Sequence, residues 1–437
     1  MPNQIGVVIL TLAAGGRGAT PPVVAPADSP TASARPAVPA PPQGITCRPG
    51  YTLTVAVDDL ARARFLEVDP DGVLYVSRPE VPPGPGERRS RGGDITRLED
   101  ADGDGFYERR TTFVQGPTSL HGLCLAPDES GAMWLWYSTS GSIRKARDTS
   151  GDGVADENIA VIPDGMLPSG GVHWWRSLLV AHGTIYTSIG DSGNITDETA
   201  SERQKIWTFD LSGKNKKPFA GGIRNTEKLR LRPGTREVWG LDHGSDWFGR
   251  TLDEDPANPA KGQPITDRYP PEEINHYEEG KFYGHPFIAG EVIPRFEFLD
   301  KSDLIELAAR NTAPRLSMPA HWAGNGFTFL DPQVVKTSAG KPGAMPSDHA
   351  GDMIACYHGS WNRTQPAGYC VVRVIFDPIE QRPIGYVTLV DGLRRGPGDR
   401  ATPVIRPVDA VQVPDGSVLF SCDMTGRVYR IRTTTAR

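Results

Sequence analysis

One local pattern recurs along this sequence: an apolar-x-apolar run, a turn rich in Pro, Asp and Gly, then a second run that alternates apolar and polar. It reads FLEVDPDGVLYVS (65–77), LCLAPDESGAMWLWYS (123–138), SLLVAHGTIYTSIGD (177–191), LRLRPGTREVWGLDHG (229–244), MIACYHGS (353–360) and AVQVPDGSVLFSCD (410–423). Period-two alternation is the strand signal, and the turn residues supply the backbone angles of a β-hairpin. The second strands start near residues 73, 133, 185, 238, 354 and 418, so most intervals are about 50 to 65 residues. That is the length of a four-stranded propeller blade. The spacing predicts an all-β, six-bladed β-propeller over residues 46–437. The long interval from 238 to 354 predicts an insertion between blades four and five, with a Pro-rich stretch and one helix over 301–310 (KSDLIELAAR). A two-sheet sandwich is the rival architecture, but six repeats of this period are an odd way to build one.

Composition excludes other classes. The chain has 49 Gly and 40 Pro among 437 residues, and both end or kink helices, so a long-helix bundle is excluded. Its 47 basic and 53 acidic side chains give a net charge of −6, leaving no basic excess to neutralise phosphates; nucleic acid is a poor partner. Five cysteines (Cys47, Cys124, Cys356, Cys370, Cys422) are too few for a disulfide scaffold, and no CxxC or CxxCH occurs. A Cys356–Cys370 bridge on paired strands and buried free thiols are both open readings.

Residues 1–45 stand apart. Ile5 to Ala14 is a ten-residue apolar run, too short to span a bilayer and suited to a signal-peptide core, although Met-Pro-Asn-Gln before it carries no positive side chain. A Pro/Ala/Ser/Thr tract to Gln43 reads as a linker. Export to a periplasmic or extracellular location is the expectation; a polar tail with a chance apolar start is the alternative.

Two acidic loops, Asp100-Ala-Asp102-Gly-Asp104-Gly and Asp148-Thr-Ser150-Gly-Asp152-Gly, lie 48 residues apart. Oxygen ligands at alternate positions resemble half of a calcium loop, but the twelfth positions are Thr111 and Ile159, with Glu108 or Asp156 as substitutes. Polar hairpin turns are the other reading.

Ligands of a propeller bind at the ends of its inner strands. His173 precedes one such strand and Asp191 follows its partner, so a hairpin returns the two side chains to one place. A carboxylate on one imidazole nitrogen leaves the other as a base near neutral pH; a purely structural pair is the alternative. Arg224, Arg363 and Arg406 each flank a different inner strand, and their convergence predicts a positive funnel mouth suited to a polyanionic small molecule. Surface pairing of each arginine with a nearby carboxylate is the competing reading.

In order along the chain, GDITRLEDADGDGFYE, HWWRSLL…YTSIGDSGN, GIRNTEKLRLRP…VWGLDHG, EEINHYEEGKFYGHP, YHGSWNR…GYCVVRV and RPVDAVQVPDGSVLFSCD resemble the soluble quinoprotein sugar dehydrogenases. The likeness is strongest to the sorbosone dehydrogenase-like branch, which uses pyrroloquinoline quinone (PQQ) on a six-bladed propeller. The resemblance implies roles position by position. His173 matches the general base, Asp191 the carboxylate that orients it, and Arg224 with Asn225 the pair at the quinone carbonyls. Gly244 and Ser245 match positions whose carbonyls bind the calcium on PQQ, and Glu273 a ligand of a structural calcium. Arg406 matches a cofactor-binding arginine, and Arg363 or Asn362 stands near a basic residue facing the cofactor carboxylates. A second arginine of the glucose oxidisers is replaced here by Val408.

Together these imply an enzyme that oxidises an aldose or related sugar aldehyde at C1 and passes electrons to an external acceptor, with PQQ and calcium as cofactors. A calcium-dependent lactonase-like hydrolase, and a propeller that only binds a glycan or a protein partner, are the other function classes. No Rossmann fingerprint favours NAD(P) or FAD.

Overall fold

The computed structural model describes residues 38–80, 92–248, 267–396 and 401–434. The signal-like run and most of the linker fall outside the described residues, as does much of the Pro-rich stretch. No helix among the described residues is long and apolar enough to cross a membrane.

From Pro39 onward the chain is a six-bladed β-propeller. Blade one comprises Leu66–Val68, Leu74–Arg78, Asp94–Glu99 and Arg109–Gln115; blade two Leu123–Pro127, Met133–Ser138, Ile143–Arg147 and Glu157–Ile162; blade three Leu179–Ala181, Thr184–Ile189, Lys205–Asp210 and Lys217–Gly221. Blade four comprises Thr226–Leu231, Val238–Asp242, Glu272–Tyr277 and Leu316–Met318; blade five Gly324–Phe329, Met353–Tyr357, Cys370–Phe376 and Pro383–Asp391. Blade six joins Pro407–Gln412, Val418–Cys422 and Arg427–Thr433 to Tyr51–Val57, so strands from both ends of the propeller share one sheet. Each inner strand contacts the next around the ring, which closes from blade six onto blade one.

The turns form as their residue types dictate. In the first hairpin Asp69 Oδ1 accepts from the amides of Asp71 (3.0 Å) and Val73 (2.9 Å), and Gly72 takes φ +87°, a conformation costly for other residues. The strands Val238–Asp242, Met353–Tyr357 and Val418–Cys422 are buried throughout because both sheet faces meet neighbouring blades. Apolar wedges fill the gaps between blades, for example Trp136, Ile143, Ile185, Ile206 and Phe209 between blades two and three. The inner strands approach so closely that a Cβ on Gly326 would stand 2.3 Å from Asp409 Oδ1. At the axis Lys228 Nζ bonds Asp409 Oδ2 (2.7 Å), and Arg230 Nε bonds the Phe327 carbonyl (2.9 Å), tying blades four, five and six.

The insertion expected between blades four and five lies within blade four. Residues 243–271 separate its second and third strands, and 278–315 its third and fourth. The second segment reaches back to blade three, where Lys281–Phe282 pairs in parallel with Lys217–Gly221. The helix there is Leu304–Arg310, and a second, Pro332–Ser338, lies inside the blade-five hairpin, capped by Asp331.

All five cysteines are free. Cys356 is opposite Val371 and Cys370 opposite Tyr357, so the two thiols are offset by one residue and point to opposite sheet faces. That parity excludes the Cys356–Cys370 bridge.

Candidate active site

In each blade the inner strand starts, and the second strand ends, at the same end of the ring. His173 precedes the inner strand of blade three; Arg224 and Asn225 adjoin that of blade four, and Arg406 that of blade six. Asp191, His243, His358 and Asp423 follow second strands. All of these residues therefore gather at one mouth.

His173 is buried, and its Nδ1 lies 2.9 Å from the backbone carbonyl of Asp191. A carbonyl only accepts, so Nδ1 carries the proton and Nε2 keeps its lone pair. Burial and the nearby Arg224 charge hold the imidazole down to about 2, so it is neutral across the physiological range. The expected carboxylate–imidazole pairing of Asp191 with His173 does not form. The Asp191 carboxylate instead bonds His285 Nε2 (2.7 Å) and the amides of Gly193 (2.6 Å) and Thr196 (2.9 Å). Burial pushes that carboxyl up, but the His285 bond and charge outweigh it and leave it well below the carboxylate range.

Arg224 is fixed from both sides. Its backbone amide donates to Asp242 Oδ2 (3.0 Å), and its guanidinium reaches the carbonyl (3.0 Å) and Oδ1 (2.8 Å) of Asn194 and Asp246 Oδ1 (3.1 Å). The next residue, Asn225, donates its amide to Asp242 Oδ1 (2.7 Å) and its Nδ2 to His243 Nδ1 (3.1 Å). Arg363 does not join them. Its guanidinium donates to the Ala320 carbonyl (3.1 Å), while the adjacent Asn362 bonds the Asp246 carbonyl. Val408 is fully buried among Phe65, Leu120 and Leu123.

A chain of bonds crosses the axis from blade four to blade six. Glu227 bonds Arg64 (2.8 Å), Arg64 bonds Asp423 (3.0 Å), Asp423 accepts from His358 Nε2 (3.0 Å), and His358 Nδ1 accepts from Arg406 (2.9 Å). His121 Nε2 lies 3.5 Å from Glu227. The mouth thus alternates in charge, where convergent arginines alone predict a positive one. Beside it, Trp174 and Trp175 stack with centroids 3.7 Å apart, and Arg64 lies 4.3 Å over Trp175. A cavity of about 610 Å³ opens here, lined by Arg62, Arg64, Trp174, Trp175 and Asp423. The guanidiniums of Arg62 and Arg64 beside an aromatic face suit a flat anion such as PQQ, offset by the Glu80 and Asp423 carboxylates; His173, Arg224 and Arg406 are not among the residues lining this cavity.

Gly244, Ser245 and Glu273 line one cavity of about 20 Å³ together with Asp242, His285 and Arg295. The sequence resemblance assigned them to two separate calcium ions. Burial, then the Asp242 charge, pushes the Glu273 carboxyl up to about 8, and the adjacent buried Glu272 has an Oε2 without a hydrogen-bond partner. Glu272 alternates to the other face of the strand, so the hard oxygens at this water-sized space are those of Glu273, Asp242 and the nearby carbonyls, a set that fits a divalent cation. Arg295 limits that fit by donating to Ser245 Oγ (2.7 Å), which leaves the backbone carbonyls as the ligands.

The first acidic loop brings ligand oxygens of Asp100, Asp102 and Glu108 within 4.8 Å of one another. In the second, Asp148 accepts from the amides of Ser150, Gly151 and Gly153 and Asp156 from that of Thr149, as in a polar turn.

Arg64, His121, Glu227, His285, His358 and Asp423 were missed in the sequence. Arg64, His121, His358 and Asp423 sit at the same strand-end phase as His173, so that phase applied to every blade finds them. His285 has no such signal, because it reaches Asp191 from the insertion.

Residues 42–280 match the family model described as a domain of unknown function (DUF7133), and residues 300–434 the model described as TrAA12-like. An uncharacterized protein of Borreliella burgdorferi is 26% identical over 251 residues, 56% of this chain and 56% of that relative; the chain spans about half the length of the curated relative it matches. The fold is similar to the iodide structure of the Trichoderma reesei carbohydrate-active enzyme of family AA12 (TM-score 0.70, 18% identity, 92% of this chain and 100% of that one). A calcium structure of the same protein gives 0.67 at 18% identity, covering 92% and 99%. The holo form of the pyranose dehydrogenase PQQ domain from Coprinopsis cinerea gives 0.68 at 19% identity, covering 91% and 99%. This chain shares their fold.

Proposed function

We propose that this chain, which belongs to the DUF7133 family, is a quinoprotein that oxidises an aldose or related sugar aldehyde at C1. The observation that carries the reading is the buried His173, tautomer-fixed by the Asp191 carbonyl, beside the Arg224 charge. The relatives' names, a PQQ domain and a carbohydrate-active enzyme, point the same way.

When bound, PQQ with its calcium would supply an electrophilic carbonyl as the two-electron acceptor. The chain's part is to bind, orient and move the proton. His173 Nε2 takes the proton of the C1 hydroxyl, because that nitrogen is the unprotonated one. Arg224, rigid between Asn194 and Asp246, offers fixed positive charge where negative charge develops. Arg64 and Arg406 are the guanidiniums for the cofactor carboxylates, with Trp174 and Trp175 as the flat surface beside them. The carbonyls of Gly244 and Ser245 would hold the cation, with the Glu273 carboxyl, which gives up its proton as the ion binds, as the third ligand.

The test is reconstitution. Metal-stripped protein receives PQQ and calcium, and binding (by quenching of tryptophan fluorescence) and dye reduction with a panel of aldoses are followed. Quenching together with aldose-dependent reduction is expected. Neither signal would end the reading, and calcium-dependent turnover without the quinone would make the protein a hydrolase.

A further inference from the structure

The insertion of blade four carries an apolar face that nothing in the mouth uses. Val292, Ile293, Phe296, Leu299 and Ile305 are between 45% and 72% exposed. They do not lie on loose chain. Phe287, Ile288, Leu304 and Leu307 form a small core beneath them, and the helix Leu304–Arg310 packs on Ile293–Pro294. An exposed apolar patch on a rigid base marks an interaction surface.

Its charge says what kind of partner fits. Residues 291–306 hold five carboxylates and two cations. One cation, Arg295, is buried on Ser245 and Trp247, and the other, Lys301, is paired with Asp303 (3.2 Å). Exposed carboxylates alternate with the apolar residues: Glu291 before Val292, Asp300 after Leu299, Glu306 after Ile305. The segment thus interleaves exposed apolar and acidic side chains and carries a net negative charge, which disfavours a second copy of itself and an anionic membrane. It suits a basic partner with an apolar centre.

The patch also adjoins the site. Arg295 touches Ser245, and its neighbour Phe296 packs on Phe248 with centroids 5.9 Å apart. We infer that this face docks a basic one-electron carrier protein that removes the electrons of the reaction. The inference rests on the proposed oxidation. Converting a sugar hemiacetal to its lactone breaks the C1–H and O–H bonds and releases two electrons and two protons. Two oxidised carriers take one electron each, and both protons pass to solvent. The cysteines, free and lacking a CxxCH, offer no second redox centre inside the chain.

The experiment uses the full chain and ferric cytochrome c as the basic probe carrier. Binding is followed by NMR of labelled cytochrome c without sugar, and reduction by stopped flow, at low and at physiological salt. A triple variant, Glu291→Lys with Asp300→Lys and Glu306→Lys, and a double variant, Leu299→Ser with Ile305→Ser, change only exposed side chains. The triple variant is expected to slow carrier reduction about ten-fold or more at low salt, with weaker binding. Both variants should reduce a small uncharged quinone within about two-fold of the parent rate, since that acceptor needs no docking face. Binding that the variants weaken, in a parent that oxidises no sugar, would end the catalytic reading and leave the docking surface standing. Variants that bind and reduce cytochrome c as the parent does would overturn the inference. So would a concentration-dependent dimer, seen by sedimentation, that the double variant dissolves.

Discussion

Asp191 holds His173 with its main chain and His285 with its side chain: the carbonyl is 2.9 Å from His173 Nδ1, and the carboxylate is 2.7 Å from His285 Nε2. The residue links His173 to the insertion through different atoms, so the two contacts should be separable by mutation.

Asp191→Asn should therefore keep the His173 tautomer. Turnover is expected to fall by less than about ten-fold, against the roughly 10⁴-fold loss when a carboxylate orients a catalytic histidine directly. Steady-state kinetics with reconstituted protein decide between them; a loss near the larger figure would show that the carboxylate acts on His173 after all.

His173→Ala should retain PQQ binding and lose turnover by about 10²–10⁴, the usual worth of general-base assistance. Near-parental rates would remove His173 from the mechanism. In the cofactor-free protein, its imidazole should show no titration between about pH 5 and 8, because burial and the Arg224 charge disfavour the cation. A ¹⁵N NMR titration with a midpoint near 6.5 would contradict the burial argument.

Glu273→Gln is the test of the cation site. Burial, then Asp242, holds this carboxyl protonated at neutral pH, and glutamine resembles that neutral form. The metal-free fold should lose less than about 1 kcal/mol. Saturating calcium should raise the parent's stability by roughly 3 kcal/mol at a hundred-fold excess over its Kd, and the variant's hardly at all. An equal calcium shift in both would move the ion elsewhere.

Glu227→Gln leaves the buried Arg64 guanidinium without one of its carboxylates and should cost about 3 kcal/mol at neutral pH. Burial pushes the Glu227 carboxyl up, but the Arg64 charge and the His121 contact outweigh it, so its folded value lies below its unfolded one. Its stabilisation is therefore complete above the unfolded value near 4.3 and is lost as pH falls through the folded one. Thermal melts of parent and variant should converge in acid; a gap that stays constant from neutral pH to about pH 3 would refute the linkage.

What the sequence disclosed follows from how local each signal is. The hairpins were legible because Asp69 and Gly72 write their turn into adjacent residues. The insertion was misplaced because the return of Lys281–Phe282 to blade three is a tertiary event without local signature. Hairpin spacing brought His173 and Asp191 together but could not say which oxygen would face the ring. Arg363 and Asn362 differ by one position, and only the folded loop decides which of the two turns toward Asp246. The axial chain through Arg64, Asp423 and His358 spans three blades, beyond the reach of any window.

Tyr51–Val57 waits for Arg427–Thr433 before blade six exists. Arg406 and Asp423 are borne by that last-made sheet, whereas His173 and Arg224 belong to blades built from the middle of the chain. A chain cut before Pro407 would keep His173 and Arg224 yet lack the strands that clasp Tyr51–Val57 and bear Arg406 and Asp423, so the ring would have no closure.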